Sequence, residues 1–140
     1  MTQLSERDIR QEEEFMSHIA RFNWGAFLMP GIWGPAHGVW VSIVFYPLWL
    51  LVDNLIFSAY QNPQPLSISL ATIALVIIIA FSFAFARISH PYAAHRAIDR
   101  GLTFEQYNKR QRIWALVSLL LALAALAWAT YYNLTIRAVS

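Results

Sequence analysis

Between Phe22 and Ala86 the chain carries a single charged side chain, Asp53, with Asn54 beside it. A carboxylate within an apolar run costs about 2.5–3.5 kcal/mol on insertion scales, so Asp53 should face protein, water or a partner group, or be protonated. Two readings follow. In one, Asp53 is a proton or cation relay, or a counter-charge for an intramembrane Arg or Lys of a partner. In the other, it is a carboxylate near the membrane surface, reached by water and hydrogen-bonded to Asn54 or Ser58. Pro47 should kink the same helix and open space beside it. The remaining candidates are His18, His37, His90 and His95. His90 and His95 fall on different helix faces, and neither a cysteine nor an HExxH spacing accompanies them. They read as capping or surface histidines, so no metal or other cofactor is expected. Glycine-rich phosphate loops, a GxSxG elbow and paired intramembrane carboxylates are also missing. Nothing in these residues points to an enzyme.

The elements that must position Asp53 follow from where charge is excluded. Of 140 residues, ten are Lys or Arg and eight are Asp or Glu, while 58% are hydrophobic. All but Asp53 and Arg137 of these charges lie in two segments, Glu6 to Arg21 and Arg87 to Arg112. Such patterning excludes a soluble globular domain, a disordered chain and a coiled coil. A pI near 9.2 could suggest nucleic acid. The basic residues concentrate in one loop between apolar runs, however, and read as orientation and lipid-headgroup charges. The expected class is therefore an all-α integral membrane protein whose first partner is the lipid bilayer, with no nucleic acid.

A spanning helix needs roughly 20 mostly apolar residues. Three segments qualify within a single membrane domain of residues 1–140: 39–60, 66–86 and 113–134. The uncharged turn QNPQP makes the first two a tight antiparallel hairpin. Nine of the ten Lys and Arg residues precede span one or lie between spans two and three, and Arg137 alone follows span three. The positive-inside rule then predicts a bacterial inner (plasma) membrane protein with its N-terminus cytoplasmic and its C-terminus outside. An acidic start without a basic, apolar leader predicts no cleaved signal peptide. Trp40, Tyr60, Trp114, Trp128, Tyr131 and Tyr132 fall where interface anchors belong.

The cytoplasmic parts have their own signals. Residues 1–21 should hold a weakly amphipathic helix, with Ser5 and Asp8 as a capping box and Ile9, Met16, Ile19 and Ala20 near one face. It could lie on a partner surface or stand in solvent, and Glu12 to Glu14 disfavour anionic lipid. Residues 87–112 should form a helical elbow. In it Pro91 takes a first-turn position, Gly101 follows a helix end, and Thr103 with Gln106 caps a helix continuing into span three. Lys109, Arg110 and Arg112 would then meet lipid headgroups or a docking partner.

Residues 22–38, FNWGAFLMPGIWGPAHG, fit neither a loop nor a spanning helix, since they lack charge yet hold Pro30-Gly31 and Gly34-Pro35. Non-helical backbone at membrane depth needs protein or water around it. The expectation is a half-helix from about Asn23 to Met29, a Pro-Gly break and a second turn, forming an interfacial or re-entrant element anchored by Trp24 and Trp33. This stretch, through Trp40, resembles a class of small bacterial inner-membrane proteins of unknown function. Their signature combines Asn23-Trp24-Gly25-Ala26-Phe27 with the later Pro30 and Trp33 and an aromatic residue just before the first span, and with Phe104, Gln111 and Trp114 ahead of the last span. The sequence departs from that pattern at Gly34 to His37. The resemblance implies the fold and no activity.

Small residues suggest helix packing: Ala80 and Ala84, with Ser82 and Ala86, in span two, and Ser118, Ala122, Ala125 and Ala129 in span three. The sequence thus points to a non-catalytic accessory or structural subunit of a larger bacterial membrane complex, in contact with other membrane protein subunits. The alternative is a small transporter or channel component using Asp53, as a homo-oligomer.

Overall fold

The computed structural model describes residues 5–140, and the start of the N-terminal segment lies outside them. Six α-helices follow in order: α1 (Glu6–Ser17), α2 (Trp24–Leu28), α3 (Pro30–Ala36), α4 (Phe45–Gln61), α5 (Pro65–Asp99) and α6 (Phe104–Tyr131). A 3-10 turn (Trp40–Val44) leads into α4, and a π turn and a 3-10 turn close the chain after α6. Among the described residues there is no strand. Three helical stretches are long and apolar enough to cross a membrane: Trp40–Gln61, Pro65–Asp99 and Phe104–Val139.

The helix boundaries have local causes. Ser5 and Asp8 cap α1 reciprocally, and Thr103 and Gln106 do the same for α6. Gly101 takes φ +92° in the turn between α5 and α6. Helix α1 stops at Ser17, short of Arg21, because the His18 ring turns back onto the Glu14 carbonyl at 2.7 Å. Pro30 begins α3, where a missing N–H costs nothing.

Two prolines sit inside helices, with different consequences. Pro35 cannot donate to the carbonyl four residues back, that of Gly31. The Tyr46 hydroxyl of α4 donates to that carbonyl instead, at 3.0 Å. Pro91 was expected to begin a new helix, yet α5 runs through it as one element of 35 residues. Burial of Ser89, His90, Ala93 and Ala94 on both sides of Pro91 holds the helix in place, and this outweighs one lost backbone bond. At about 1.5 Å per residue α5 is about 52 Å long, far more than a hydrocarbon core of about 30 Å, so its last turns project beyond the apolar run.

Packing is concentrated at that projecting end. Helix α2 lies against both α5 and α6, and α4 pairs with α5 as the hairpin. One apolar cluster joins Ala26, Trp33, Ala86 and Ala93, with Phe22, Phe27 and Trp114 around it. A second joins Ile19, Ala94 and Tyr107, with Phe15, Met16 and Phe104 on its edge, and so docks the end of α1 onto the elbow. By contrast, only 6% of the apolar window in the third span is buried.

Close approach makes Gly34 specific. A Cβ there would lie 2.8 Å from the Val39 carbonyl oxygen and closer still to the Ser42 side chain. Gly34→Ala should therefore destabilise the protein by about 2 kcal/mol or more, from forced backbone displacement. Tyr46→Phe should cost about 1–2 kcal/mol by orphaning the Gly31 carbonyl. Both are read as lowered midpoints of thermal unfolding in mild detergent; a Tyr46→Phe protein as stable as the parent would refute the role given to that hydroxyl.

Candidate functional site

The side chains with the most organised chemistry lie where α2, α3, α5 and α6 meet. Asn23 caps α2, its Oδ1 accepting from the Ala26 amide at 2.9 Å. That bond fixes which way the amide points. Its Nδ2 group therefore faces inward and donates to Gln111 Oε1 at 2.8 Å and to His90 Nδ1 at 3.1 Å. Trp33 Nε1 donates to the same Gln111 oxygen at 2.9 Å. Gln111 Nε2 then donates to His37 Nε2 at 3.1 Å, and His37 Nδ1 donates to the Trp33 carbonyl at 2.7 Å. Trp33, Gln111 and His37 form a closed ring of hydrogen bonds. The His37 ring also stacks on the Trp33 indole, with centroids 4.1 Å apart.

On the other side of Asn23, His90 Nε2 donates to the Ala20 carbonyl at 2.8 Å. Its Nδ1 is left as an acceptor, and the Tyr107 hydroxyl lies 3.0 Å away. Asn23, Trp33, His90, Tyr107 and Gln111 are all buried. Every inward donor in this network has an acceptor, as groups removed from water require.

The pattern of donors fixes the protonation state. Each histidine has one nitrogen donating to a backbone carbonyl and one facing an amide N–H. A proton added to His37 Nε2 would oppose Gln111 Nε2, and one added to His90 Nδ1 would oppose Asn23 Nδ2. Burial pushes His37 below the ordinary histidine value; the bond to the Trp33 carbonyl opposes that, and repulsion from Arg110, and from His90 when that ring is protonated, adds to it. Both rings are therefore neutral at neutral pH.

Above the network lies an open groove of about 380 Å³ between α3, α5 and α6. Arg96, Arg100, Arg110 and His37 line it, with Trp40 and Trp114. The Arg96 guanidinium rests against Gly38, whose φ is +81°. Among the described residues, none of these three arginines has a carboxylate within salt-bridge distance.

A second polar cluster occupies the opposite end. Asn133 Nδ2 donates to Asp53 Oδ1 at 2.7 Å, and Arg137 Nη1 reaches Asp53 Oδ2 at 3.4 Å. Arg137 also donates to the Asn54 side-chain oxygen and lies 4.1 Å over the Phe57 ring. Asp53 is 35% exposed and Arg137 29%. Asp53 is thus paired within the chain, and neither Asn54 nor Ser58 is its hydrogen-bond partner. Arg137, the one basic residue after span three, is its counter-charge.

The other expected residues divide. Pro30 is buried at the start of α3, and Pro35 borders the groove. Trp33 is 0% exposed and belongs to the core, which corrects its reading as an interface anchor; Trp24, at 58%, remains outside. Trp114 is likewise half-buried against the core. Ser118 is fully buried and Ala122 and Ala129 half-buried, whereas Ala80, Ala84 and Ala125 face outward. Ser82 and Ala86, expected beside Ala80 and Ala84, do lie on the buried face of α5, together with Ala71 and Ile78. Arg110 enters the groove, while Lys109 and Arg112 are exposed beyond it. His95 meets Glu12 at 2.9 Å and stacks on Phe15, and no three metal-ligating side chains gather among the described residues. His90, expected to be a capping or surface histidine, is buried and bonded to Asn23 and the Ala20 carbonyl. His37, which does cap α3, joins the same network. Tyr107, Arg96 and Arg100 were not singled out from the sequence as site residues. The available signals were Gln111 in the family-like spacing and the shared side of the histidines.

No protein-family model matches the chain, and neither does any curated protein or solved structure. The residues themselves must carry the functional argument.

Gln111→Leu should destabilise the protein by about 2–5 kcal/mol, because it strands the Trp33 and Asn23 donors. Acid should act in the same direction. With the folded His37 value depressed, the unfolded chain binds more protons, so stability is complete above about pH 6.5 and falls as pH drops below it. Gln111→Glu should reverse the sign by favouring an imidazolium at His37, giving stability that is present in acid and lost as pH rises. Melting midpoints of parent and variant across about pH 5 to 8 test both statements; parallel profiles would refute the protonation state assigned to His37.

Proposed function

We propose that this chain is a non-catalytic accessory or structural subunit of a larger bacterial membrane complex. In this reading it sits in the inner membrane with its N-terminus in the cytoplasm and its C-terminus outside. Helices α2 and α3 form the broken interfacial element before span one, and α1 is an amphipathic helix held against the cytoplasmic elbow. The orientation rests on the nine Lys and Arg residues in two segments, 7–21 and 87–112, which three spans put on the same side of the bilayer.

One observation carries the subunit reading: the third span is nearly bare along its apolar length, with 6% of that window buried. Lipid alone can cover its leucines. Small residues are what permit a close second helix, and Ala125 on α6 with Ala80 and Ala84 on α5 are all turned outward. The buried polar network supports the same reading, since it is neutral, closed and saturated, as suits a structural joint. The transport alternative needs Asp53 free in a pathway, and pairing with Arg137 and Asn133 argues against that.

The chain has no cysteine, so single cysteines can be placed without background. Ala125→Cys and Ala84→Cys in native membranes should cross-link to one distinct larger protein in fixed ratio, and Leu120→Cys, a lipid-facing control, should not. Cross-linking only between copies of this chain would overturn the accessory reading and favour the homo-oligomeric transporter. For Asp53→Asn we expect assembly with that partner to be unchanged; loss of an ion or solute flux in loaded vesicles would again favour transport.

A further inference from the structure

The basic groove is not used by the subunit reading. Its position and chemistry call for an occupant. Three guanidiniums from two helices face one hollow, and among the described residues they lack carboxylate partners. Cations crowded together repel, and the neutral state of His37 and His90 beside them avoids adding to that repulsion. The rest of the relief has to come from an anion. Guanidinium forks match the paired oxygens of phosphate better than a single point charge does.

The groove also has a defined depth. It opens where the first and third apolar runs begin, with Trp40 and Trp114 on its wall and Trp40 65% exposed. Indole rings favour the headgroup layer of a bilayer. Arg96 lies in the last turn of α5, Arg100 follows four residues on at the cap of that helix, and Arg110 approaches from α6. Lys109 and Arg112, on either side of Arg110, line no part of the groove. A diffuse positive-inside charge would not sort the three in this way.

We propose that this groove is a binding site for a phosphate group held by Arg96, Arg100 and Arg110, and that the phosphodiester of an anionic phospholipid is its natural source. The lipid's acyl chains would continue along the bare face beside the third span. A soluble phosphate ester shares the headgroup chemistry and lacks those chains.

The purified full chain in detergent, mixed with equal amounts of phosphatidylglycerol and phosphatidylcholine, can be examined by native mass spectrometry. The parent should retain phosphatidylglycerol preferentially. Arg96→Gln with Arg100→Gln should weaken that retention about ten-fold or more, whereas Lys109→Gln with Arg112→Gln, which removes the same charge, should leave it nearly unchanged. Equal losses in the two double variants would overturn the site in favour of non-specific charge. sn-Glycerol 3-phosphate serves as the second probe, applied to the parent, so the outcome does not depend on the variants folding. Failure to displace the lipid supports the lipid as source; displacement, or direct binding of the ester, supports the phosphate site with a soluble source. Absence of both a preference for phosphatidylglycerol and binding of the ester would overturn the proposal. None of these outcomes depends on a partner subunit, so they separate this site from the accessory reading.

Discussion

One side-chain amide, that of Gln111, is the point through which four segments of the chain are held together. Its oxygen takes hydrogen bonds from the cap of α2 and from the indole of α3, and its nitrogen donates to His37 just beyond α3. Through Asn23 the same network reaches His90 on α5 and, beyond it, the backbone at Ala20. Away from water, an unmade bond at any of these atoms costs about 1–3 kcal/mol. The arrangement is therefore far more selective than apolar packing, which tolerates sliding. Two short helices of five and seven residues could not hold a fixed position alone. Their position comes from this joint.

Neutrality is the second requirement, and it follows from the first. Each histidine is oriented by a carbonyl on one nitrogen and an amide donor on the other, so the network has room for one proton per ring. That matters because Arg110 and Arg96 lie next to it along the groove. A charged network there would have to be compensated by buried carboxylates, and every carboxylate of the elbow lies elsewhere. The joint can thus support a basic surface without being perturbed by it, and the surface keeps its charge for something outside the chain.

The elements were legible in the sequence because their causes are local. Exclusion of charge marks the spans. Ser5 with Asp8, Thr103 with Gln106, and Gly101 mark helix ends within four residues of themselves. The short helix beginning near Asn23 and the Pro30 break were legible for the same reason. The site was not, since the contacts that join its helices through Asn23, Trp33, His37 and Gln111 link residues 67 to 88 positions apart whose types are unremarkable singly. Trp33 looked like an interface anchor because an indole suits both places, and only a buried acceptor on α6 decides between them. Pro91 looked like a helix start because its local cost is visible while the packing that offsets it is not. Ala80 and Ala84 alternate with Ser82 and Ala86 along span two, and only the partner helices show that the packing face takes the second pair, with Ala71 and Ile78, and leaves the first outside.

Both ends of the third span are fastened by polar contacts, and its middle is not. At the groove end, α6 is tied through Gln111 and Tyr107; at the other, Asn133 and Arg137 engage Asp53 and Asn54 on α4. In water the intervening Leu-rich face would collapse onto its neighbours. In a bilayer it has no such drive, because lipid tails are as apolar as leucine. A helix pinned at two points and slack between them keeps its tilt and rotation while leaving its flank open. This geometry lets one chain present the same exposed alanines to a neighbouring helix and the same basic groove to a phosphate, with neither contact required for the chain itself to hold its shape.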